Sequence, residues 1–130
     1  MFISCRSENY QIDSPLATVV KLICAESFAD FDEAKKYIDV EKVYSGYSDT
    51  LSPEQMWKSQ VVFFYNMGKD KKFTERFKYF NYVIKEGQIG DSAEIIFESI
   101  RPEESIRKIT YRLSRCNDKW IVIKIDYVKR

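Results

Sequence analysis

The last third of the chain alternates apolar and polar residues with a period of two, and that pattern leaves few ways to fold. Ile109, Tyr111 and Leu113 fall on one side of an extended strand, and Ile121, Ile123, Ile125 and Tyr127 fall on one side of the next. Between them stands Cys116-Asn117-Asp118-Lys119, whose central pair tolerates a tight reversal. The two runs therefore predict a half-buried antiparallel hairpin. Its apolar row needs a cover, and the first half of the chain is the part able to supply one. On the other side of the hairpin, Trp120, Val122 and Val128 would form a second apolar patch, a place for a homodimer contact.

The first half reads as helices. Ser14-Pro15 is a start signal, with a hydroxyl to cap free N–H groups and a proline where its missing N–H is harmless. Val19, Val20, Leu22, Ile23, Ser27 and Phe28 then give a stripe wide enough to face a core. Asp30 and Glu33 resemble a capping box for a short second helix carrying Ala34, Tyr37 and Ile38, and 40–44 adds another turn. Ser52-Pro53 with Gln55 repeats the start signal. The helix it opens carries Met56, Trp57, Gln60, Val61, Phe63, Phe64 and Met67, and stops at Gly68.

Strands follow. Positions 77–85 read as a strand with Lys78, Phe80, Tyr82 and Ile84 on one side; Glu86-Gly87 and Gly90-Asp91 bracket a turn region. Positions 93–100 form the next, with Ala93, Ile95 and Phe97 inward and Glu94 and Glu98 toward solvent. Helices first and strands afterwards predict an α+β fold, N-terminal helices packed on a curved antiparallel sheet as a cone-like roll. At this length the simplest division is a flexible arm over 1–13 and a single domain over 14–130.

Composition narrows function mainly by exclusion. The chain has no histidine, which removes the usual general acid or base near neutral pH and the commonest metal ligand. Twenty-one Lys and Arg against twenty Asp and Glu leave a net charge of +1, so nucleic acid is not an expected partner. Lys69, Lys71, Lys72, Arg76 and Lys78 do interleave with Phe73, Phe77, Tyr79 and Phe80, but a solvated connector explains them. Three cysteines without metal-ligand spacing indicate neither a disulfide framework nor a zinc site, and no cofactor is expected. No apolar run reaches the ~18 residues that would span a bilayer.

Several short stretches resemble a known group. Ser14-Pro15, the helix after it and Phe28-Ala29-Asp30-Phe31-Asp32-Glu33-Ala34-Lys35-Lys36-Tyr37 are similar to the opening of nuclear-transport-factor-2-like (cystatin-like, α+β cone) domains. Gly90-Asp91-Ser92-Ala93 and Asn117-Asp118-Lys119-Trp120-Ile121-Val122 resemble the same group, over roughly 14–128. Within it the likeness is to small bacterial lumazine-binding-like proteins of unknown function, many of them lipoproteins. Enzymes of that group place an Asp with a His or Tyr inside the cone. Here the histidine is missing, and alternation puts Tyr111 and Asp126 on opposite faces of the hairpin, so no catalytic residue is carried over.

The expectation for function is a non-catalytic binding module that takes a small apolar molecule or a protein through an aromatic-lined cavity or a sheet face. Nine Phe, nine Tyr and two Trp supply the rings, and Trp57, Phe64, Phe97 and Tyr111 are the candidate lining residues. A toxin-neutralising, immunity-type inhibitor is the alternative, and a histidine-free isomerase or dehydratase stands behind it. Phe2-Ile3-Ser4-Cys5 has the residue types of a lipoprotein cleavage box, which makes Cys5 a candidate lipidation site and membrane tether. As written the chain lacks the charged and apolar regions of a signal peptide. Location is thus cytoplasmic as the sequence stands, or the cell envelope if a leader precedes Met1.

Overall fold

The computed structural model describes residues 14–68, 82–101 and 106–129. The arm with Cys5, the basic aromatic stretch over 69–81, with the expected strand start at 77, and the connection over 102–105 lie outside the described residues. Four helices come first: α1 (Pro15–Ser27), α2 (Phe31–Ala34), α3 (Val40–Tyr44) and α4 (Pro53–Gly68). Four strands follow: β1 (Tyr82–Ile89), β2 (Ser92–Ser99), β3 (Ile106–Cys116) and β4 (Lys119–Lys129). They form an antiparallel sheet in the order β1-β2-β3-β4. Helix α1 packs on β2 and β4, α3 packs on β4, and α4 packs on α1 and α3. The fold is α+β, helices on one face of a curved sheet.

Local chemistry accounts for most boundaries. Ser14 Oγ accepts from Ala17 N–H at 3.1 Å to open α1, and Asp30 Oδ1 accepts from Glu33 N–H at 3.2 Å to open α2. At α4 the capping box closes in both directions: Gln55 N–H donates to Ser52 Oγ at 3.1 Å, and Ser52 N–H donates to Gln55 Oε1 at 2.9 Å. Helix α1 ends where Ala29 takes a positive φ of 55°. Asp30 N–H then reaches Ala25 O and Ala29 N–H reaches Glu26 O, a Schellman closure with alanine where glycine is usual. The β1–β2 turn has Gly90 at φ 58° between the paired Ile89 and Ser92. Asn117 (53°) and Asp118 (65°) make the primed turn between Cys116 and Lys119. Strand β1 runs straight through Glu86-Gly87, so the expected turn region shrinks to Gly90-Asp91.

Register in β4 departs from simple alternation, and this corrects the expected hairpin face. Arg112 pairs with Lys124, but its neighbour Leu113 pairs with Val122, which leaves Ile123 without a partner across the ladder. That extra residue is a β-bulge. On its N-terminal side the core positions are Trp120 and Val122; on its C-terminal side they are Ile125 and, half-buried, Tyr127. Ile121 and Ile123, expected in the core row, are only half-buried. Trp120 and Val122, expected as an outer patch, are 3% and 0% exposed. Two of the three residues on which a homodimer contact was expected are therefore inside the molecule, and Val128 is half-buried.

The shift has physical causes on both sides of β4. Burying an indole removes more apolar area from water than burying an isoleucine, and the Arg115 guanidinium lies 4.9 Å from the centre of the Trp120 ring. Arg115 is itself fixed by Asp91, through Nε to Oδ1 at 3.1 Å and through its N–H to Asp91 O at 2.8 Å. On the outer edge, Val122 N–H donates to Tyr37 O at 2.8 Å and Val122 O accepts from Asp39 N–H at 2.9 Å.

The core joins Val19, Leu22 and Ile23 of α1, Trp57 and Val61 of α4, and the inward rows of β2, β3 and β4. The opposite sheet face is charged. Lys85 meets Glu98 at 2.8 Å, and Arg112 sits between Glu94 and Asp126. Such exposed pairs solvate a face more than they stabilise it.

The bulge makes a testable contrast. Trp120→Ala is expected to destabilise the domain by about 3–5 kcal/mol, and Ile123→Ala by about 1 kcal/mol or less, read from urea midpoints. Equal losses would mean that β4 alternates regularly after all.

Candidate functional site

Of the four rings expected to line a cavity, three are buried in the core and Phe64 is partly exposed. Phe97 and Tyr111 come from β2 and β3, pack edge to face with centroids 5.8 Å apart, and are 0% and 1% exposed. Trp57, on the core side of α4, is 0% exposed and meets Phe31 edge to face at 5.4 Å. Phe64 lies further along α4, past Val61, where the apolar stripe leaves the core and becomes exposed. Three of the four rings are thus core packing. They hold the helices to the sheet.

The structure instead assembles a polar cluster around a carboxylate that sequence reading passed over. Trp57 Nε1–H donates to Glu26 Oε2 at 2.8 Å, across 31 positions of sequence. Tyr44 is buried next to this pair and its hydroxyl donates to Gln60 Oε1 at 3.4 Å. Burial, then the negative charge of Glu26, then Tyr127 and Tyr47 push the Tyr44 phenol far above the ordinary tyrosine range. A phenol held that high is a weak proton donor near neutral pH, so the cluster suits fixed hydrogen bonding better than proton transfer. No local spacing foretells it, because Glu26, Tyr44 and Trp57 sit on three different helices.

A second tyrosine is perturbed on the surface of the helical layer. Tyr37 O–H donates to Glu33 Oε2 at 2.6 Å, and Lys36 Nζ reaches Glu33 Oε1 at 2.9 Å. Desolvation, then the bond to Glu33, raises Tyr37 from 10.0 to about 12, while Tyr37 and Lys36 together hold the Glu33 carboxyl below its usual range. Among the described residues no group of His, Cys, Asp and Glu is arranged to hold a metal ion. Cys24 and Cys116 carry free thiols, and burial pushes the Cys24 thiol up, toward its unreactive protonated form.

Among the described residues, two surfaces on the helical layer stand out for recognition. A shallow open groove of ≈ 360 Å³ is floored by Ile38, Val40 and Ile121 and rimmed by Lys35, Asp39, Glu41 and Glu54. Lys35 and Glu54 bond to each other across it at 2.7 Å. The other surface is apolar: Val62, Phe63 and Phe64 on α4 are 42%, 59% and 38% exposed, and the two phenylalanine rings contact edge to face at 5.5 Å. Comparison with protein-family models and with curated proteins finds no match for this chain.

The tyrosines supply a pH test. A phenol whose folded pKa lies above its unfolded value contributes stability that is complete below the unfolded pKa and is lost as pH rises toward the folded one. For Tyr37 that window runs from 10.0 to about 12. The Tyr37 contribution should hold to about pH 10 and fall above it, with ultraviolet absorbance showing Tyr37 and Tyr44 ionising above the ordinary tyrosine range. Tyr37→Phe should remove the Tyr37 share of the fall; an unchanged alkaline profile in that variant would contradict the assignment.

Proposed function

We propose that the domain is a non-catalytic binding module of the nuclear-transport-factor-2-like kind whose partner is a protein, recognised through the aromatic end of α4. The observation that carries this reading is how the rings divide. Trp57, Phe97 and Tyr111 are buried in the core, while Phe63 and Phe64 touch each other on the exposed part of α4. Large aromatic side chains supply much of the energy of protein interfaces, because each buries a wide area on few rotatable bonds. The small-ligand version of the binding module draws less support, since Trp57, Phe97 and Tyr111 are buried in the core.

The same surface supports the narrower alternative, a toxin-neutralising inhibitor, for which an exposed aromatic patch is the feature to expect. Cys5 as a membrane tether is a separate proposal, tested by palmitate labelling of the wild type and Cys5→Ala.

Surface substitutions away from special features shift stability by about 0.5 kcal/mol or less. Phe63→Glu should therefore unfold at nearly the wild-type temperature. It should also recover at least about tenfold less of any protein that the wild type captures from its own lysate, a loss expected when a buried aromatic anchor is removed. Equal capture by the variant would move the binding surface elsewhere. For the inhibitor reading, the product of the neighbouring gene is the bait, and failure to bind it removes that alternative alone.

A further inference from the structure

The two edges of the sheet are treated differently. The outer edge of β4 is occupied at Val122 by Tyr37 and Asp39. Among the described residues nothing pairs with the outer edge of β1, and all of β1 after Tyr82 is exposed. The main contacts between helices and sheet fall on β2 and β4. Ile84 on the helix side and Val83 and Ile89 on the other are 42%, 46% and 86% exposed. An open edge bearing apolar residues is a template for pairing with another copy of the same strand.

We propose that Lys85 and Glu86 form an electrostatic gate that keeps this edge from pairing with a second copy of the chain. The argument is one of symmetry. Two copies joined edge to edge as antiparallel strands are related by a twofold axis perpendicular to the sheet. That operation keeps each side chain on its own face, and antiparallel partners must share a face. Strand β1 alternates regularly, with Tyr82, Ile84, Glu86 and Gln88 on the helix side and Val83, Lys85, Gly87 and Ile89 on the other. A residue can therefore face only a residue of its own set, and every register is centred on one residue facing its own copy.

Within the described strand, Tyr82–Ile89, the longest self-pairings are centred on the charges. A register centred on position 85 spans 82–88 and sets Lys85 against Lys85 of the second copy. One centred on 86 spans 83–89 and sets Glu86 against Glu86. Centres at 84 or 87 escape the clash but shorten the paired run to 82–86 or 85–89. Like charges directly opposite each other disfavour strand pairing. Lys85 is partly neutralised by Glu98 at 2.8 Å, whereas Glu86 lies opposite Ile95 and makes no ion pair among the described residues. Glu86 is thus the stronger half of the gate.

Sedimentation velocity on the full chain tests this with Glu86→Val, Glu86→Lys and an equimolar mixture of wild type with Glu86→Lys. Glu86→Val should self-associate roughly tenfold more tightly than wild type. Glu86→Lys alone should sediment like wild type, because it still sets like against like. The mixture should contain a species absent from either component, and salt should weaken it. The proposal is overturned if Glu86→Val sediments as wild type does with its circular dichroism unchanged. It is equally overturned if the mixture yields no new species, an outcome that does not depend on how Glu86→Val folds. Neither result bears on the α4 surface, so the two readings fail separately.

Discussion

Ile123 has no partner across the β3–β4 ladder, and the placing of the core follows from that one extra residue. Without it, Trp120 and Val122 would point to the opposite face of the sheet from Ile125 and Tyr127. With it, Trp120 and Val122 join Ile125 and Tyr127 under the helical layer, and Glu94, Arg112 and Asp126 meet on the outer face. The bulge is held from three directions: Arg115 over the indole, the backbone of Tyr37 and Asp39 on the outer edge, and the helices above. Sheet curvature and the seating of α3 on β4 both depend on it.

What could be read from the sequence was whatever is encoded locally. The Ser14 and Ser52 caps, the Asn117-Asp118 turn and the alternation of Ala93, Ile95 and Phe97 each depend on residues within a few positions of one another. Their outcome in the structure matches. The β4 core row was misassigned because alternation weighs every isoleucine equally. It contains no term for the greater gain from burying Trp120, nor for the hydrogen bonds that arrive from Tyr37 and Asp39. The cluster of Glu26, Tyr44 and Trp57 was invisible for a related reason: three helices must be packed before those side chains meet.

The abundance of rings suggested a cavity, and the structure gives it another use. A small domain covering one face of one sheet has a thin core, and aromatic side chains fill such a core with few residues. Phe97 against Tyr111 and Trp57 against Phe31 show this use, with the indole N–H answered by Glu26 so that no buried donor is left unpaired. The rings toward the end of α4 are placed differently: Phe63 and Phe64 are 59% and 38% exposed, whereas Trp57 and Val61 on the same helix are buried.

Recognition of one partner requires rejection of others, and the closest competitor in concentration is always another copy of the same chain. Here the two demands fall on different elements. In the proposed function attraction comes from side chains on α4, where helix geometry fixes the spacing of the rings whatever approaches. The danger of self-association lies on β1, where backbone N–H and C=O groups are open and would accept any strand. A hydrophobic edge beside a hydrophobic helix would make the two surfaces cooperate in aggregation. Lys85 and Glu86, adjacent in sequence but on opposite faces, place a charge at the centre of each long register, so one pair of residues guards both faces of the strand.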